Sequence, residues 1–299
     1  MASVYISRVG FTHKPLACRL QPVFTLLRHK SSASSKRWNA RQHRDKYAIE
    51  ARVEGYKSRA AYKLIELDTK YRLFRPNQTV VDLGFAPGSW TQVAVEKTKP
   101  DGRVVGLDIL PCRPPPGASA IQGNFLSAGV QEELKRMLIA GVGKRVKKHV
   151  FADEEPSQPP TDDVESYIDM ERHQTELEDQ QSTAPAATIS NNAEFPVDLI
   201  LSDMMANTTG NSFRDHGLSI DLCDAALMFA LDTLKPNGKF VCKFYTGVED
   251  KHLEARLKRT FKHVFREKPN SSRSESREMY FVATGRVREA TKKSVFGIA

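Results

Sequence analysis

The sequence of 299 residues contains few cysteines and no long hydrophobic run. Its four cysteines, Cys18, Cys112, Cys223 and Cys242, show no C-x-x-C spacing and fit a reducing compartment without a disulfide framework. The eight histidines also lack metal-ligand spacing, so we expect no metal. No apolar run approaches the roughly 20 residues that a transmembrane helix needs, and we expect no membrane span.

Two common phosphate-binding motifs are also missing. The stretch Gly84-Phe85-Ala86-Pro87-Gly88 is not a G-x-G-x-x-G fingerprint, and no Gly-Lys-Ser/Thr follows it. The sequence therefore has neither a dinucleotide fingerprint nor a P-loop. Positive charge, in contrast, is abundant: the net charge is +9 and the pI is about 9.3, which favours an acidic partner such as nucleic acid.

The first 44 residues contain no Asp or Glu but nine Lys or Arg, with apolar residues between them and a serine-rich run at 31–35. This composition is typical of a mitochondrial transit peptide, and we predict that segment 1–44 is cleaved in the matrix. A basic RNA-binding tail is the alternative interpretation. A secretory signal is disfavoured because a continuous apolar region is missing.

A second segment has the opposite charge. Residues 152–180 contain eleven acids and one arginine, and 182–193 are polar and of low complexity. We predict an acidic insertion at 144–195, a solvated loop rather than an autoinhibitory mimic of a nucleic-acid backbone. It interrupts a folded domain over 45–286, which a basic tail at 287–299 follows. Without the leader and this acidic run, the rest of the chain carries a net charge of +10.

The stretch 79–90 organises the folded domain. It begins with an apolar run that predicts a buried strand, turns at Gly84 and Pro87-Gly88, and continues at Ser89 as the N-cap of a helix. A second apolar run ends at Asp108, and an acid at the tip of a second strand is where open α/β folds commonly bind a ribose. The pattern predicts a nucleoside-cofactor site without a phosphate cradle.

The remaining pattern predicts an α/β fold with helices on both faces of a sheet. The sheet has seven strands, mostly parallel, with a terminal antiparallel hairpin. Further helices are predicted at 57–71, 128–140, 218–234 and 250–262. Further strands are predicted at 103–108, 120–125, 197–203, 239–244, 263–269 and 277–285.

Charged residues recur where these strands end. Asp108, Asp203, Lys243 and Glu278 occupy such positions, and Lys63 lies on the preceding helix. Each alone has a structural explanation, because a strand-tip Asp often caps a helix and a strand Lys often extends to solvent. Together they lie at one edge of the predicted sheet, which favours a functional site there.

These segments together resemble the FtsJ/RrmJ-type ribosomal RNA 2′-O-ribose methyltransferases over residues 45–286, the insertion excepted. The matching motifs are Lys57-Ser58-Arg59-Ala60-Ala61-Tyr62-Lys63-Leu64, Val81-Asp82-Leu83-Gly84-Phe85-Ala86-Pro87-Gly88-Ser89-Trp90, Leu201-Ser202-Asp203-Met204, Phe240-Val241-Cys242-Lys243, Pro269-Asn270-Ser271-Ser272-Arg273 and Ser276-Arg277-Glu278-Met279-Tyr280. The resemblance implies a Rossmann-like S-adenosylmethionine-dependent methyltransferase fold. With the basic leader, it implies 2′-O-methylation of a uridine in the peptidyl-transferase region of mitochondrial large-subunit rRNA, linked to ribosome assembly.

The resemblance also implies the site residues. The cofactor S-adenosyl-L-methionine would be bound by Gly84, Pro87, Gly88, Ser89, Trp90, Asp108, Asn124 and Asp203. The catalytic tetrad would be Lys63, Asp203, Lys243 and Glu278. Asn124 departs from the family, which commonly has Asp at the adenine amino group, but its side-chain carbonyl still accepts a hydrogen bond. We predict a monomer that acts on ribosomal RNA or a precursor of the large mitochondrial subunit.

A ribose hydroxyl is a poor nucleophile, so in-line methyl transfer needs alignment and removal of its proton. A lysine can take that proton when burial and a neighbouring cation lower its pKa. We assign this role to Lys243, with Asp203 closest to the cofactor and the two carboxylates orienting the lysines; Lys63 could exchange roles with Lys243.

Other residues are candidates for RNA contacts. Candidate phosphate contacts are Arg52, Lys57, Arg59, Arg273, Arg277 and the tail after Arg286. Tyr56 and Tyr245 are candidates for stacking on bases, and the alternative is that both only pack against the protein.

Three alternatives remain open from the sequence. A transfer-RNA ribose methyltransferase would share the tetrad, and a non-catalytic assembly factor would use the same fold as an RNA scaffold. A small-molecule methyltransferase is disfavoured by the basic domain and by the lack of an extra substrate-enclosing domain.

Overall fold

A computed structural model describes residues 45–140 and 195–297, which belong to one unit spanning His43–Ala299. The predicted leader lies outside the described residues, as does the predicted insertion except for its last residue.

Within the described ranges Cys112, Cys223 and Cys242 are free thiols. In the same ranges no helix is long and apolar enough to cross a bilayer, and no cluster of three or more His, Cys, Asp or Glu could hold a metal ion.

Helices and strands alternate along most of the chain. The helices are α1 Lys46–Val53, α2 Ala60–Tyr71, α3 Ser89–Thr98, α4 Ala128–Ala140, α5 Ser212–Thr233, α6 Asp250–Thr260 and α7 Lys292–Phe296. The strands are β1 Thr79–Leu83, β2 Arg103–Asp108, β3 Ala118–Gln122, β4 Val197–Ser202, β5 Leu234–Tyr245, β6 Phe261–Glu267 and β7 Glu278–Arg286.

The seven strands form one sheet in the order β3-β2-β1-β4-β5-β7-β6. Strands β1 to β5 pair in parallel, whereas β7 runs antiparallel to both β5 and β6. The predicted mixed sheet with an antiparallel hairpin is therefore confirmed. Because β7 runs antiparallel to β5, its first residues lie at the same edge as the carboxyl end of β5, and Glu278 lies opposite Tyr245.

Successive strand residues point to opposite faces of the sheet, and each face is covered by its own set of helices. Val80, Leu201 and Val241 pack in the core that α2 and α3 cover. Val81 and Ile200 pack in the core on the other face, with residues of α4, α5 and α6. This alternation also assigns a face to the charged residues near the strand ends.

The structure corrects several boundaries. Gly88, not Ser89, is the N-cap of α3, and its φ of 106° is one that an L side chain rarely adopts. Helix α5 begins six residues before its predicted start because the side chain of Asn211 accepts hydrogen bonds from the amides of Phe213 and Arg214. Strand β3 ends at Gln122 rather than at 125, which leaves Asn124 in the following loop.

Both ends of the described domain carry helices that hydrophobic periodicity did not predict. Helix α1 is capped by the Asp45 side chain and buries only Ala51. Helix α7 lies within the predicted basic tail, where Ala290 and Val295 are buried in the domain core. Short helices with one or two buried residues give too weak a periodic signal to be predicted.

The turn after β1 depends on the missing side chain of Gly84. Its φ is 78°, and its amide donates to the Leu107 carbonyl at 2.8 Å. A Cβ at this position would lie 2.8 Å from the backbone of Met204, in the loop that follows β4. Gly84 therefore lets two loops meet at the carboxyl edge of the sheet.

Replacing Gly84 with Ala tests this close approach. Gly210→Ala is the matched control, since Gly210 has φ 79° but open space around its Cβ position. The control is expected to cost about 1 kcal/mol for the backbone conformation alone. Gly84→Ala is expected to cost about 1 to 3 kcal/mol more, because the collision adds overpacking. Urea unfolding of both variants measures the difference, and equal losses of stability would contradict the argument.

Candidate active site

Two buried ion pairs occupy the edge where β4, β5 and β7 meet α2. Lys63 Nζ lies 2.5 Å from Glu278 Oε1, and Lys243 Nζ lies 3.1 Å from Asp203 Oδ1. All four side chains are mostly buried, with Lys243 9% and Asp203 20% exposed. Coulomb attraction is screened less there than at the surface, so each charge needs its partner.

The four side chains converge because of strand alternation. Asp203, Lys243 and Glu278 share the face of Leu201, Val241 and Tyr280, which is the face that α2 covers. Lys63 reaches them from α2. The structure thus brings together the four residues predicted to form the tetrad.

Tyr280 connects the two ion pairs and was missed as a site residue. Its hydroxyl donates to Asp203 Oδ1 at 3.1 Å, and its ring centroid lies 5.9 Å from Lys63 Nζ. Register pairs Tyr280 with Lys243, and the Trp90 ring packs on it at 5.7 Å. Complete burial raises the pKa of Tyr280 well above its usual value, so its hydroxyl stays a donor. Residues two apart on a strand point to the same face, so the spacing of Glu278 and Tyr280 was the sequence signal that could have identified Tyr280 as a neighbour of the tetrad.

The electrostatics of Glu278 show that both lysines act on it. Burial, the largest single effect, raises the pKa of this carboxyl, but Lys63 and then Lys243 oppose burial and hold the pKa below its usual range. Glu278 is therefore an anion at neutral pH. The two ion pairs form one electrostatic unit rather than two separate contacts.

A carboxylate on α2 fixes the loop that leads into Glu278. Glu66 Oε2 accepts from the Asn270 amide at 2.6 Å, and Glu66 Oε1 accepts from the Ser271 amide at 2.9 Å. Glu66 lies one turn after Lys63, so a single helix face holds both the loop and the tetrad. We call these two hydrogen bonds the Glu66 clasp.

Asp45 forms ion pairs with two of the arginines predicted to contact phosphate. Its carboxylate pairs with Arg59 and lies 3.4 Å from Arg273 Nη2, and Arg59 also donates to the Ser271 carbonyl. Lys57 donates to the Arg113 carbonyl at 3.0 Å. Arg59 and Arg273 thus join α1, α2 and the loop after β6, whereas Lys57 binds the loop after β2. Contact of these cations with phosphate stays a prediction.

The predicted cofactor cradle lies at the carboxyl ends of β1 and β2. Both oxygens of Asp108 are held, by the Ala86 amide at 2.8 Å and the Leu110 amide at 2.9 Å, and each keeps further lone pairs. The Ala86 amide that binds this carboxylate lies between Gly84 and Gly88, two residues without a side chain. A fixed acceptor next to side-chain-free backbone fits the ribose of a nucleoside cofactor.

Three other predicted cofactor residues bind their neighbours. Trp90 is buried and its Nε1 donates to the Ala60 carbonyl at 2.8 Å, while the Ser89 hydroxyl meets the Ser58 hydroxyl at 2.7 Å. The Pro87 carbonyl accepts from Cys112 Sγ at 3.5 Å. The side chains of Ser89 and Trp90 thus attach α3 to the α2 region.

Asn124 and Asp82 complete the surroundings of the cradle. Asn124 Oδ1 already accepts from the Leu126 amide at 2.9 Å, so its role at an adenine ring would use its second lone pair or its NH₂ group. Burial raises the pKa of Asp82 to about 7, although the hydrogen bond from Thr91 opposes it. Asp82 is therefore only partly ionised at neutral pH behind Asp108 and Asp203.

Residues 56–286 match the model of the FtsJ-like methyltransferase family. The mitochondrial rRNA methyltransferase 2 of Saccharomyces cerevisiae is 37% identical over 89% of this chain and 92% of its own length. The ribosomal RNA large subunit methyltransferase E of Parvibaculum lavamentivorans is 37% identical over 86% and 83%. A crystal structure from Plasmodium falciparum, of a protein provisionally called a ribosomal RNA methyltransferase, is 28% identical with TM-score 0.54 and covers 77% of this chain and 98% of its own.

Glu66→Gln tests the clasp. The Gln side chain keeps one neutral oxygen acceptor and has an NH₂ group in place of the other, so one of the two loop amides loses its acceptor. Exchange of the Asn270 and Ser271 amide hydrogens is therefore expected to accelerate roughly 10- to 100-fold. Glu267→Gln is the control, because Glu267 binds Lys70 and Tyr71 of the same helix but not this loop. Native-state hydrogen exchange measures both variants. Equal protection of the two amides in both would show that Glu66 does not hold the loop.

Proposed function

The chain belongs to the FtsJ-like methyltransferase family, and from this premise we propose that it methylates a ribose 2′-hydroxyl of mitochondrial large-subunit ribosomal RNA. Members of the family use S-adenosylmethionine as methyl donor. The observation that carries the proposal is the convergence of Lys63, Asp203, Lys243 and Glu278 into one buried cluster beside the Asp108 cradle.

The relatives support the substrate and the compartment. The Saccharomyces cerevisiae relative and a Schizosaccharomyces pombe relative, 37% identical over 83% of this chain, are both named mitochondrial rRNA methyltransferase 2. The bacterial relative is named for the large ribosomal subunit. An acid-free, arginine-rich leader and a basic domain agree with an RNA substrate in mitochondria. The resemblance extends the proposal to a uridine of the peptidyl-transferase region.

The cofactor would lie along Gly84–Trp90, with Asp108 on its ribose and Asn124 at its adenine. When bound, S-adenosylmethionine supplies a methyl group activated by a sulfonium. The residues of the chain then have two tasks: to align the 2′-oxygen and to receive its proton.

Asp203 orients the Lys243 side chain through two acceptors. Lys243 Nζ lies 2.5 Å from the Asp203 carbonyl and 3.1 Å from its carboxylate, so two of its N–H bonds have fixed directions. The remaining tetrahedral position carries either the exchangeable proton or the lone pair. In the proposed step the 2′-O–H bond breaks and its proton joins the Lys243 lone pair, while the oxygen takes the methyl group as the methyl–sulfur bond of the donor breaks to leave a neutral thioether.

Lys63 and Glu278 hold the other side of the site. Glu278 remains an anion and balances Lys63, while Tyr280 keeps Asp203 in place. Lys63 is the remaining cation near the acceptor oxygen and is positioned to stabilise charge that develops there. The four charged side chains come from α2, β5, β7 and the residue that follows β4.

Lys243→Ala tests the proposed function. It removes the proton acceptor, and general-base catalysis typically contributes roughly 100- to 10,000-fold, so methyl transfer is expected to fall at least that far. Cofactor binding should persist, because the Asp108 cradle is untouched. The measurements are transfer of labelled methyl groups to transcripts of mitochondrial rRNA and of transfer RNA, and calorimetric binding of S-adenosylhomocysteine.

The control for Lys243→Ala lies on the same strand. Lys235 pairs with Asp198 at the far end of β5, and Lys235→Ala should retain methyl transfer. Near-normal turnover by Lys243→Ala would remove the base assignment. Preferential methylation of transfer RNA by the wild type would replace ribosomal RNA as the substrate.

A further inference from the structure

Three large apolar side chains are exposed beside the tetrad. Met205 is 55%, Phe213 79% and Val248 73% exposed. They lie in the loop after β4, at the start of α5 and in the loop after β5. We call these three side chains the apolar rim. Exposed apolar groups that gather beside a polar cleft commonly mark a binding surface.

The chain links each rim residue closely to the tetrad. Met205 follows Asp203 by two positions, and the Tyr245 hydroxyl donates to its sulfur at 2.7 Å. Val248 follows Tyr245 by three positions. Tyr245 is itself paired with Glu278, so Met205 and Val248 border the site.

Arg277 links the start of α5, where Phe213 lies, to the edge of the sheet that carries the tetrad. Its guanidinium donates to the hydroxyl of Ser212, the neighbour of Phe213, and to the Thr246 carbonyl at 2.6 Å. Arg277 immediately precedes Glu278. A single side chain therefore holds the start of α5 and the loop after β5 against the first residue of β7.

We propose that the apolar rim stacks against a nucleobase of the substrate RNA, at or next to the methylated nucleotide. The proposal rests on the proposed function, because the tetrad must receive a ribose whose base lies within a few ångströms. Unpaired bases bind proteins by stacking on aromatic rings, and Phe213 offers an uncovered ring. The exposed Arg214 and Arg277 beside the rim match the charge of the neighbouring phosphates.

Stacking on the apolar rim would also select unpaired RNA. A base within a helix is stacked on both sides and cannot reach Phe213 while its ribose enters the buried tetrad. A splayed base can satisfy both contacts at once. The rim is therefore expected to favour single-stranded substrate over duplex.

The test compares Phe213→Ala with Phe213→Tyr, which keeps the ring, and with Phe265→Ala, an exposed phenylalanine on β6 that packs on Tyr71. Binding is measured by fluorescence anisotropy with an oligouridylate of about 12 nucleotides and with an abasic oligomer of equal length. Loss of one stacked base is expected to weaken oligouridylate binding by Phe213→Ala roughly 5- to 100-fold. The abasic oligomer should bind the wild type and Phe213→Ala equally, and the Tyr variant and Phe265→Ala should bind both probes as the wild type does.

The outcomes separate this proposal from the proposed function. Unchanged oligouridylate binding by Phe213→Ala, or an equal loss for both probes, would overturn the stacking assignment. Unchanged binding of both oligomers together with weaker binding to ribosomal proteins freed of rRNA would indicate a protein partner instead, and would also overturn it. Wild-type protein that methylates no rRNA transcript would contradict the proposed function, whereas the comparison of the two probes would still report on the rim.

Discussion

The pairing of two buried lysines with two buried carboxylates is the interaction on which the rest of the structure depends. Removing one member would leave an uncompensated charge in a poorly solvated place, so the fold must deliver all four together. Alternation on β4, β5 and β7 turns three of them to one face, and α2 brings the fourth. Tyr280 then touches both pairs, which makes them a single unit.

Much of the surrounding structure maintains this convergence. The Glu66 clasp and the contacts of Asp45 with Arg59 and Arg273 fasten α2 to the loop before Glu278. Gly84 allows the loop after β4 to approach β1. Asp108, held by two amides, occupies the adjacent part of the same edge. The proposed cofactor cradle and the four charged side chains are thus neighbours because parallel strands end together, which is the general location of ligand sites in open α/β sheets.

The sequence predicted the sheet and the members of the tetrad because both leave local signals. Apolar runs ending in Asp108 and Asp203 mark strand ends, and ordered motifs carry Lys63, Lys243 and Glu278. The pairing itself, Lys63 with Glu278 and Lys243 with Asp203, was not predictable, because it depends on the tertiary position of α2.

The dependence on tertiary contacts also explains why the sequence analysis did not identify Glu66. Glu66 meets a loop more than 200 residues away along the chain, and no local pattern distinguishes it from any exposed helical Glu. Ser89 was assigned as an N-cap on residue type, but Gly88 takes that position with a φ of 106°, which an L side chain rarely adopts.

The most direct test of the central claim is a double-mutant cycle across the two ion pairs. Single-turnover methyl transfer would be measured for Asp203→Asn, Glu278→Gln and the double variant. If the pairs form one unit, the double variant loses little more than the worse single variant. If the two losses multiply, the pairs act independently and the account of a single catalytic unit is contradicted.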